Sequence, residues 1–347
     1  MYIKKILWAI ALIGLVIAGF IANYIYGAMF SSNTAFEEDY KYIFISNEAN
    51  YNDVRLQLEP LLEDISDFDA LAKQKKYVSN VRPGKYKITK GMNNNDIINS
   101  IRSGNVPVKL AFNNQNSLES LAGRVAIQID ADSIALLEAM TDSEFLSKKG
   151  FNKATALGMY LPNSYELFWN TTPKVFVERM HKEYNRFWNA GRLAKAKALN
   201  YSPDQVMALA SIVYEESKQK TEQPRVAGVY INRLKRRIPL QADPTIKFAA
   251  YQLPQYKNTI IRRVLNVHKD IDSPYNTYKN AGLPPGLITM PDLSAIDAVL
   301  NYEKHQYIYF AADPKRIGFH RFAKTLSQHN INARNYHRYL DQQGIRK

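Results

Sequence analysis

Two adjacent glutamates end the apolar stretch LASIVYEESKQ, residues 209–219. Four apolar residues recur at the spacing of one helix face: Val206, Leu209, Ala210 and Val213. At about 100° per residue, Glu216 lies roughly 80° from the centre of that face, whereas Glu215 lies almost opposite it. A carboxyl at the edge of a buried face is partly desolvated, which raises its pKa and suits a general acid. A surface glutamate paired with a nearby lysine or arginine fits the same geometry equally well.

Capping residues mark the start of this predicted helix. Ser202 is a typical N-cap residue, Pro203 suits the first turn, and Gln205 completes a capping box with Ser202. A defined start fixes the helical register. The different orientations predicted for the two glutamates depend on that register.

A second carboxylate follows further along the chain. The stretch RVAGVYINRLKRRIPLQADPTIKFA (225–249) predicts a helix with Tyr230 and Arg233 near one face, then a turn that carries Gln241 and Asp243. Asp243 could act with Glu216, although an aspartate before a proline more often caps a helix.

The stretch SPYNTYKNAGLPPGLITMP (273–291) is rich in Tyr, Asn, Pro and Gly. A rigid loop that offers amide and phenol groups beside aromatic faces suits a sugar ligand. A purely structural Ω-loop has the same composition.

Composition narrows the classes of partner and of chemistry. Lys and Arg outnumber Asp and Glu by 46 to 32, a formal charge of +14, which favours nucleic acid, anionic lipid or an acidic wall polymer. The chain has no cysteine, which excludes thiol nucleophiles and thiolate metal sites. Its six histidines form no close HxxxH pair, so no zinc site is expected.

The amino-terminal segment predicts a membrane span. Residues 6–30 carry no charge, and a bilayer core requires roughly 20 apolar residues in a helix. Lys4 and Lys5 precede the span and acidic residues follow it, so the positive-inside rule leaves residues 1–5 in the cytoplasm and the chain after about residue 31 outside. A cleaved signal peptide is the alternative. The outside placement argues against nucleic acid as a partner.

Periodicity along the rest of the chain predicts a mixed α+β fold. A strand is predicted at 40–46, a helix at 53–65, and a strand with Tyr86 and Ile88 on one face. A helix that starts near residue 94 and ends at Gly104 completes a small unit over about 41–110.

The remaining predictions cover the larger carboxyl-terminal part. Residues 111–200 are predicted to be mostly helical, with a loop at 158–169 and a helix or helix pair at 171–199. Two aromatic-rich runs at 307–322 predict a β-hairpin, and an amphipathic helix closes the chain.

Six blocks then resemble one family when they are taken in order: LASIVYEES, RVAGVYINRL, LQADPTI, SPYNTYKNAGLPPGLITMP, YIYFAADPKRIGFHRF and LSQHN. They are similar to the YceG-like endolytic murein transglycosylases, the MltG family. The resemblance covers about residues 156–335. Six ordered blocks make a more specific signal than any single motif.

The resemblance implies an inner-membrane lyase that cuts nascent glycan strands of peptidoglycan between N-acetylmuramic acid and N-acetylglucosamine, leaving an anhydro-muramyl end. The implied reaction requires neither a metal nor a cofactor. Peptidoglycan synthases are candidate partners. The organisation that the resemblance implies is a cytoplasmic tail at 1–5, a transmembrane helix at 6–30, a linker at 31–40, a LysM-like domain at 41–110, a helical connection at 111–155 and a catalytic YceG-like domain at 156–347.

The resemblance also assigns roles to individual residues. Glu216, just before Ser217, matches the family's catalytic glutamate, and Tyr214 stands where a second glutamate is often found. Leu157 and Asn163 replace acidic residues of the family pattern. The residues proposed to orient the substrate or the catalytic carboxyl are Ser217, Asn232, Gln241, Asp243, Tyr275, Asn276, Tyr278 and His320. His320 and His329 match the terminal blocks and are interpreted as structural or substrate-positioning groups rather than metal ligands.

One carboxyl suffices for a lytic transglycosylase, because the muramyl C6 hydroxyl attacks its own anomeric carbon after Glu216 protonates the glycosidic oxygen. Intramolecular attack also gains from proximity. Two alternatives remain open: a hydrolytic muramidase that uses Glu216 and Asp243, and a wall-binding scaffold without catalysis.

Overall fold

One long apolar helix begins the chain. In this computed structural model, which describes residues 2–257 and 259–344, α1 spans Tyr2–Phe30. Its stretch Tyr2–Asn23 has a mean hydropathy of 2.4 and is fully exposed. By length and composition this helix could cross a bilayer, and a signal sequence shares both properties.

The chain divides into two compact units. The first contains the chain up to Leu110 together with Ala126–Ala131 and Tyr165–Thr172. The second contains Ala111–Val125, Asp132–Ser164 and the chain from Pro173 onward.

Two paired antiparallel strands and three helices build the core of the first unit, and a third strand follows them. In chain order the elements are β1 (Tyr40–Ile45), α2 (Tyr51–Leu58), α3 (Ile65–Gln74), β2 (Gly84–Thr89), α4 (Asn94–Ser103) and β3 (Pro107–Phe112). Ile43 of β1 pairs with Tyr86 of β2, and both side chains are buried. The alternating burial of each strand, with the period of two, places Ile43 and Ile45 of β1 and Tyr86 and Ile88 of β2 on the buried face.

The single helix predicted over 53–65 is wrong. α2 ends at Leu58, a 3₁₀ turn covers Glu59–Leu61, and α3 begins after Asp64. The Asp64 side chain accepts hydrogen bonds from the first backbone N–H groups of α3 and so starts a new helix. The proline within the 3₁₀ turn cannot donate the backbone hydrogen bond that a continuous helix needs.

Helices dominate the rest of the chain. The elements in order are α5 (Leu118–Ala126), α6 (Ser133–Thr141), α7 (Ser143–Lys148), β4 (Asn163–Phe168), α8 (Pro173–Phe187), α9 (Ala190–Ala198), α10 (Pro203–Glu216), α11 (Gln223–Lys235), α12 (Asp243–Tyr251), α13 (Asn266–Lys269), α14 (Leu293–Leu300), β5 (Tyr309–Ala312), β6 (His320–Ala323) and α15 (Leu326–Gln342). β3 pairs with β4, and β5 pairs antiparallel with β6.

Part of the predicted loop at 158–169 is a strand. In β4, Tyr165 and Leu167 are buried and their neighbours are exposed, which is the period of two that a half-buried strand shows. The basic stretch at 171–199 is the predicted helix pair, α8 and α9, and Asn189 caps the second helix.

The central helix of the second unit is α10. Ser202 and Gln205 form the predicted capping box at its start. All eight residues from 206 to 213 are buried, because α10 packs against α11, α12 and α14. At its carboxyl-terminal end the helix emerges from the core in the last turn, at Tyr214, Glu215 and Glu216.

Candidate active site

A cleft of about 380 Å³ opens beside the last turn of α10. It lies between α10, α11, the start of α12, the loop 273–291, β5 and α15. The lining residues are Glu216, Tyr230, Arg233, Leu240, Gln241, Asp243, Tyr278, Tyr309, Phe310, Leu326 and His329. The cleft brings together four of the residues predicted from the sequence: Glu216, Gln241, Asp243 and Tyr278.

Glu216 is half-buried in the wall of this cleft. Burial raises the pKa of its carboxyl to about 7, although the Tyr230 hydroxyl and His320 act in the opposite direction. The Tyr230 hydroxyl donates a hydrogen bond of 2.7 Å to Glu216 Oε1. The negative charge of Asp243 adds to the increase. Glu216 can therefore both release and accept a proton near neutral pH.

Glu215 has a different environment from its neighbour. Its side chain is exposed, and Lys218 donates a hydrogen bond of 2.9 Å to it. The Lys218 ammonium also lies 3.4 Å from the centre of the Tyr214 ring. The predicted difference between the two glutamates is confirmed at the level of burial.

A buried carboxylate, Glu222, lies close to the end of α10. It accepts hydrogen bonds from the backbone N–H and from Nδ1 of His320, both at 2.8 Å, and from the Ser217 hydroxyl at 3.1 Å. Burial alone would raise the pKa of Glu222, but the hydrogen bonds from His320 and Ser217 hold it below its ordinary value. Ser217 and His320 therefore both donate hydrogen bonds to an ionised carboxylate, close to the last turn of α10 that carries Glu216.

Asp243 and Gln241 are held in the cleft by different partners. The Tyr278 hydroxyl donates a hydrogen bond of 2.6 Å to Asp243. Asp243 is the first residue of α12 and Ala242 is its N-cap, so the alternative use of Asp243 as a helix cap does not apply. Gln241 has a φ of 52°, a left-handed conformation, and its side chain accepts a hydrogen bond of 2.5 Å from Arg233.

Arg233 fixes one wall of the cleft. It is 7 % exposed, and it donates to the backbone oxygens of Pro239 and Ile308 as well as to Gln241. These bonds join α11, the turn before α12 and the start of β5. Arg233 therefore holds three separate segments in register around Glu216.

Asn232 and Asn276 lie outside this lining. Asn232 Nδ2 donates to the backbone oxygens of His305 and Tyr307 at 2.8 and 3.0 Å. Asn276 is fully buried and donates to the backbone oxygens of Lys269 and Ile271. Both amides fasten backbone segments that lead towards the cleft.

Tyr275 also lies outside the lining. Its ring centre is 4.6 Å from that of Phe248 on α12. Three residues later on the same loop, Tyr278 reaches the cleft. The loop thus places two predicted tyrosines in two different surroundings.

The sequence assigned His329 of α15 only a structural or substrate-positioning role, and it did not assign the aromatic groups of β5 to the site. His329 stacks on Tyr309, with ring centres 5.2 Å apart, and burial lowers the pKa of its imidazole. Phe310 packs edge-on against Tyr230. The family-like blocks at 307–322 and 326–330 were the available signal, but they did not indicate which side chains face Glu216.

Replacing Tyr230 by phenylalanine should raise the pKa of Glu216 above about 7. The hydroxyl of Tyr230 donates to the carboxylate and so favours its charged form, and the substitution removes this bond while keeping the ring. An NMR titration of ¹³C-labelled glutamate carboxyls in the full chain measures the change, with Glu216→Gln to assign the signal. An unchanged or lower pKa would contradict the role given to Tyr230.

Comparisons with known proteins agree on one family. The sequence profile of the YceG-like family matches residues 43–335. An endolytic murein transglycosylase of Bacillus subtilis is 30% identical over 278 residues, which is 75% of this chain and 74% of that protein. An endolytic murein transglycosylase of Streptococcus pneumoniae is 27% identical over 298 residues, 77% of this chain and 52% of that protein. The chain therefore spans about half the length of the pneumococcal relative.

A solved structure supports the same relationship. The crystal structure of a YceG-like protein from Listeria monocytogenes matches with a TM-score of 0.56 and 26% sequence identity. The match covers 85% of this chain and 99% of that one. The similarity thus extends well beyond the residues around the cleft.

Proposed function

The chain belongs to the YceG-like family, and from this membership we propose that it is a lytic transglycosylase that cleaves the glycan strands of peptidoglycan. The observation that carries the proposal is Glu216, a carboxyl with a pKa raised to about 7 in a cleft lined by polar and aromatic groups. Two relatives are named endolytic murein transglycosylases, so the substrate class is a polymer of N-acetylated sugars.

The proposed reaction uses Glu216 twice. Its protonated carboxyl donates the proton to the glycosidic oxygen as the bond from that oxygen to C1 of the muramyl sugar breaks. The C6 hydroxyl of the same sugar then forms a bond to C1, and the Glu216 carboxylate accepts the hydroxyl proton. The carboxyl returns to its starting form, and the products are a free hydroxyl on one fragment and a 1,6-anhydro-muramyl end on the other.

The surrounding groups support this cycle. The Tyr230 hydroxyl stabilises the Glu216 carboxylate after the first proton transfer. Asp243, held by Tyr278, adds negative charge where positive charge develops at C1. We assign Gln241 to binding of a sugar hydroxyl or acetamido group at the same wall. Ser217, Asn232, Asn276 and His320 act by holding the segments that carry these groups.

A hydrolytic muramidase is the second candidate, because Asp243 lines the same cleft as Glu216. A hydrolase activates water with a second carboxylate, whereas the intramolecular reaction incorporates no water. The two reactions therefore leave different chain ends.

Mass spectrometry of the products should detect anhydro-muramyl ends. Purified full-length protein in detergent is incubated with isolated glycan strands in water labelled with heavy oxygen. The transglycosylase reaction yields anhydro ends without the label, since the attacking oxygen is C6–OH. Labelled reducing ends would establish hydrolysis, and strands that remain bound but uncut would favour a wall-binding scaffold.

We further propose that α1 anchors the enzyme in the inner membrane. Lys4 and Lys5 at the start of the span and acidic residues after it favour a cytoplasmic tail of about five residues and an active site on the outer side. We retain 41–110 as a LysM-like wall-binding domain and 156–347 as the catalytic domain. The charge of +14 favours contact with an anionic wall, and peptidoglycan synthases are proposed partners.

A further inference from the structure

A second cleft, of about 260 Å³, lies along one face of α12. The residues of α12 that line it recur at the i, i+3, i+4 and i+7 spacing: Pro244, Lys247, Phe248 and Tyr251. The opposite face of the helix, with Ile246 and Ala250, is buried in the core. Asn116 and Thr289 form part of the opposite wall. α12 therefore presents a regular, partly exposed surface rather than an accidental gap.

Segments that build the catalytic cleft also build the second one. Glu216 lines the first cleft and Glu215 the second, at the end of α10. Asp243 lines the first and Pro244 the second, at the start of α12. The two clefts are thus neighbours on either side of the same two helix ends.

The loop 273–291 connects the two clefts in the same way. Tyr278 lines the first, while the ring of Tyr275 packs against Phe248 of the second. Between them, Thr277 binds the start of α12: its backbone oxygen accepts from Gln241 N–H, and its hydroxyl accepts from Ala242 N–H. This loop therefore fixes the second cleft relative to the first.

The chemistry of the second cleft suits a sugar. Phe248 and Tyr251 offer flat apolar faces, and the Tyr251 hydroxyl is held by the backbone N–H of Ile261 at 3.2 Å. Asn116 is oriented by a hydrogen bond of 3.0 Å from Thr289. Fixed aromatic faces with a few polar groups at the edge are the usual lining of a small-molecule site. The Glu215 carboxylate is paired with Lys218, and Lys247 adds a positive charge to the lining of the cleft.

We propose that the second cleft binds another N-acetylated sugar of the glycan strand whose bond is cut at Glu216. The inference rests on the proposed function and deepens it, because it assigns a binding position beyond the reacting bond. A strand held in both clefts extends past Glu216, so cutting takes place within the strand. Strands too short to fill the second cleft lose this contact.

Phe248→Ala tests this position. Purified full-length protein acts on peptide-free glycan strands of increasing length, and kcat/KM is measured for each. We expect the ratio of kcat/KM for long strands to that for the shortest cleavable strand to fall about tenfold, as loss of roughly 1.4 kcal/mol of contact would produce. Phe187→Ala is the matched control, since Phe187 is a half-exposed helix residue outside both clefts. Its ratio should remain at the wild-type value.

Three outcomes would overturn the proposal. An equal fall for long and short strands would make Phe248 a structural residue, and an unchanged ratio would mean that no sugar contacts it. A changed ratio that appears only on strands with peptide stems would identify a peptide as the occupant. If Phe248→Ala does not fold, Phe248→Leu keeps the apolar volume without the flat face and should lower the same ratio. Failure of the proposed function gives a different result, because the wild-type protein would then fail to cut glycan strands of any length.

Discussion

Glu216→Gln should lower the rate of strand cutting by about a thousandfold or more, within the range that general acid–base catalysis contributes. Glutamine has nearly the same shape and can still accept the hydrogen bond from Tyr230, but it cannot deliver a proton to the glycosidic oxygen. Binding of isolated strands should persist. The measurements are anhydro-muramyl ends by mass spectrometry and co-sedimentation with insoluble peptidoglycan.

Glu215→Gln is the discriminating comparison. Glu215 is exposed and paired with Lys218. It lines the second cleft, so its loss should affect the binding of long strands there and not proton transfer. We expect less than a tenfold loss on long strands. If the Glu216 variant cuts strands at a rate close to wild type, or if both variants lose the same activity, Glu216 is not the proton donor.

Glu216→Gln should also change the stability of the protein. The folded-state pKa of Glu216, about 7, exceeds the ordinary value of 4.5, so its stabilising contribution is complete below about 4.5 and is lost as the pH rises through about 7. Above that pH the wild-type protein holds a partly desolvated carboxylate. Glu216→Gln should therefore increase the free energy of unfolding by about 1–2 kcal/mol at mildly alkaline pH, with no gain in acid. Denaturant unfolding across this pH range measures the difference.

Local sequence signals predicted the position of Glu216 in its helix better than they predicted its surroundings. The capping box of Ser202 and Gln205 defines where α10 starts, and a helix of regular pitch then places the two glutamates. The apolar face was an incomplete description, because residues 206–213 are buried on all sides. Burial on all sides depends on α11, α12 and α14, which packing brings around α10 from distant parts of the chain.

Other features of the site also depend on contacts between distant parts of the chain. Asp243 precedes a proline, a local pattern typical of a cap, but Tyr278 binds its carboxylate from a loop 35 residues away. Tyr309 and His329 enter the site through β5 and α15, about 100 residues after Glu216. Periodicity describes single elements, and it carries no information on which distant side chains meet in a cleft.

The buried carboxylate Glu222 provides the second large effect. Glu222→Gln should lower the free energy of unfolding by about 2–4 kcal/mol at neutral pH, because three donors from His320 and Ser217 lose an ionised acceptor in a buried site. The pKa of Glu222 is held below its ordinary value of 4.5, so its contribution is present above 4.5 and is lost as the pH falls through the lower folded-state value. The difference between wild type and variant should therefore shrink in acid.

Glu303→Gln is the matched control for this experiment. Glu303 accepts from Arg225 at 2.9 Å, but both side chains are more than 40% exposed, so its loss should cost less than about 1 kcal/mol.

A double-mutant cycle with Glu222→Gln and His320→Gln then isolates the pair, and a coupling energy above about 1 kcal/mol is expected. Equal losses for Glu222 and Glu303, or additive single effects, would contradict the role of the pair. Because Ser217 directly follows Glu216, loosening the pair should also slow strand cutting, and restoring the pair with Glu222→Asp should recover part of that loss.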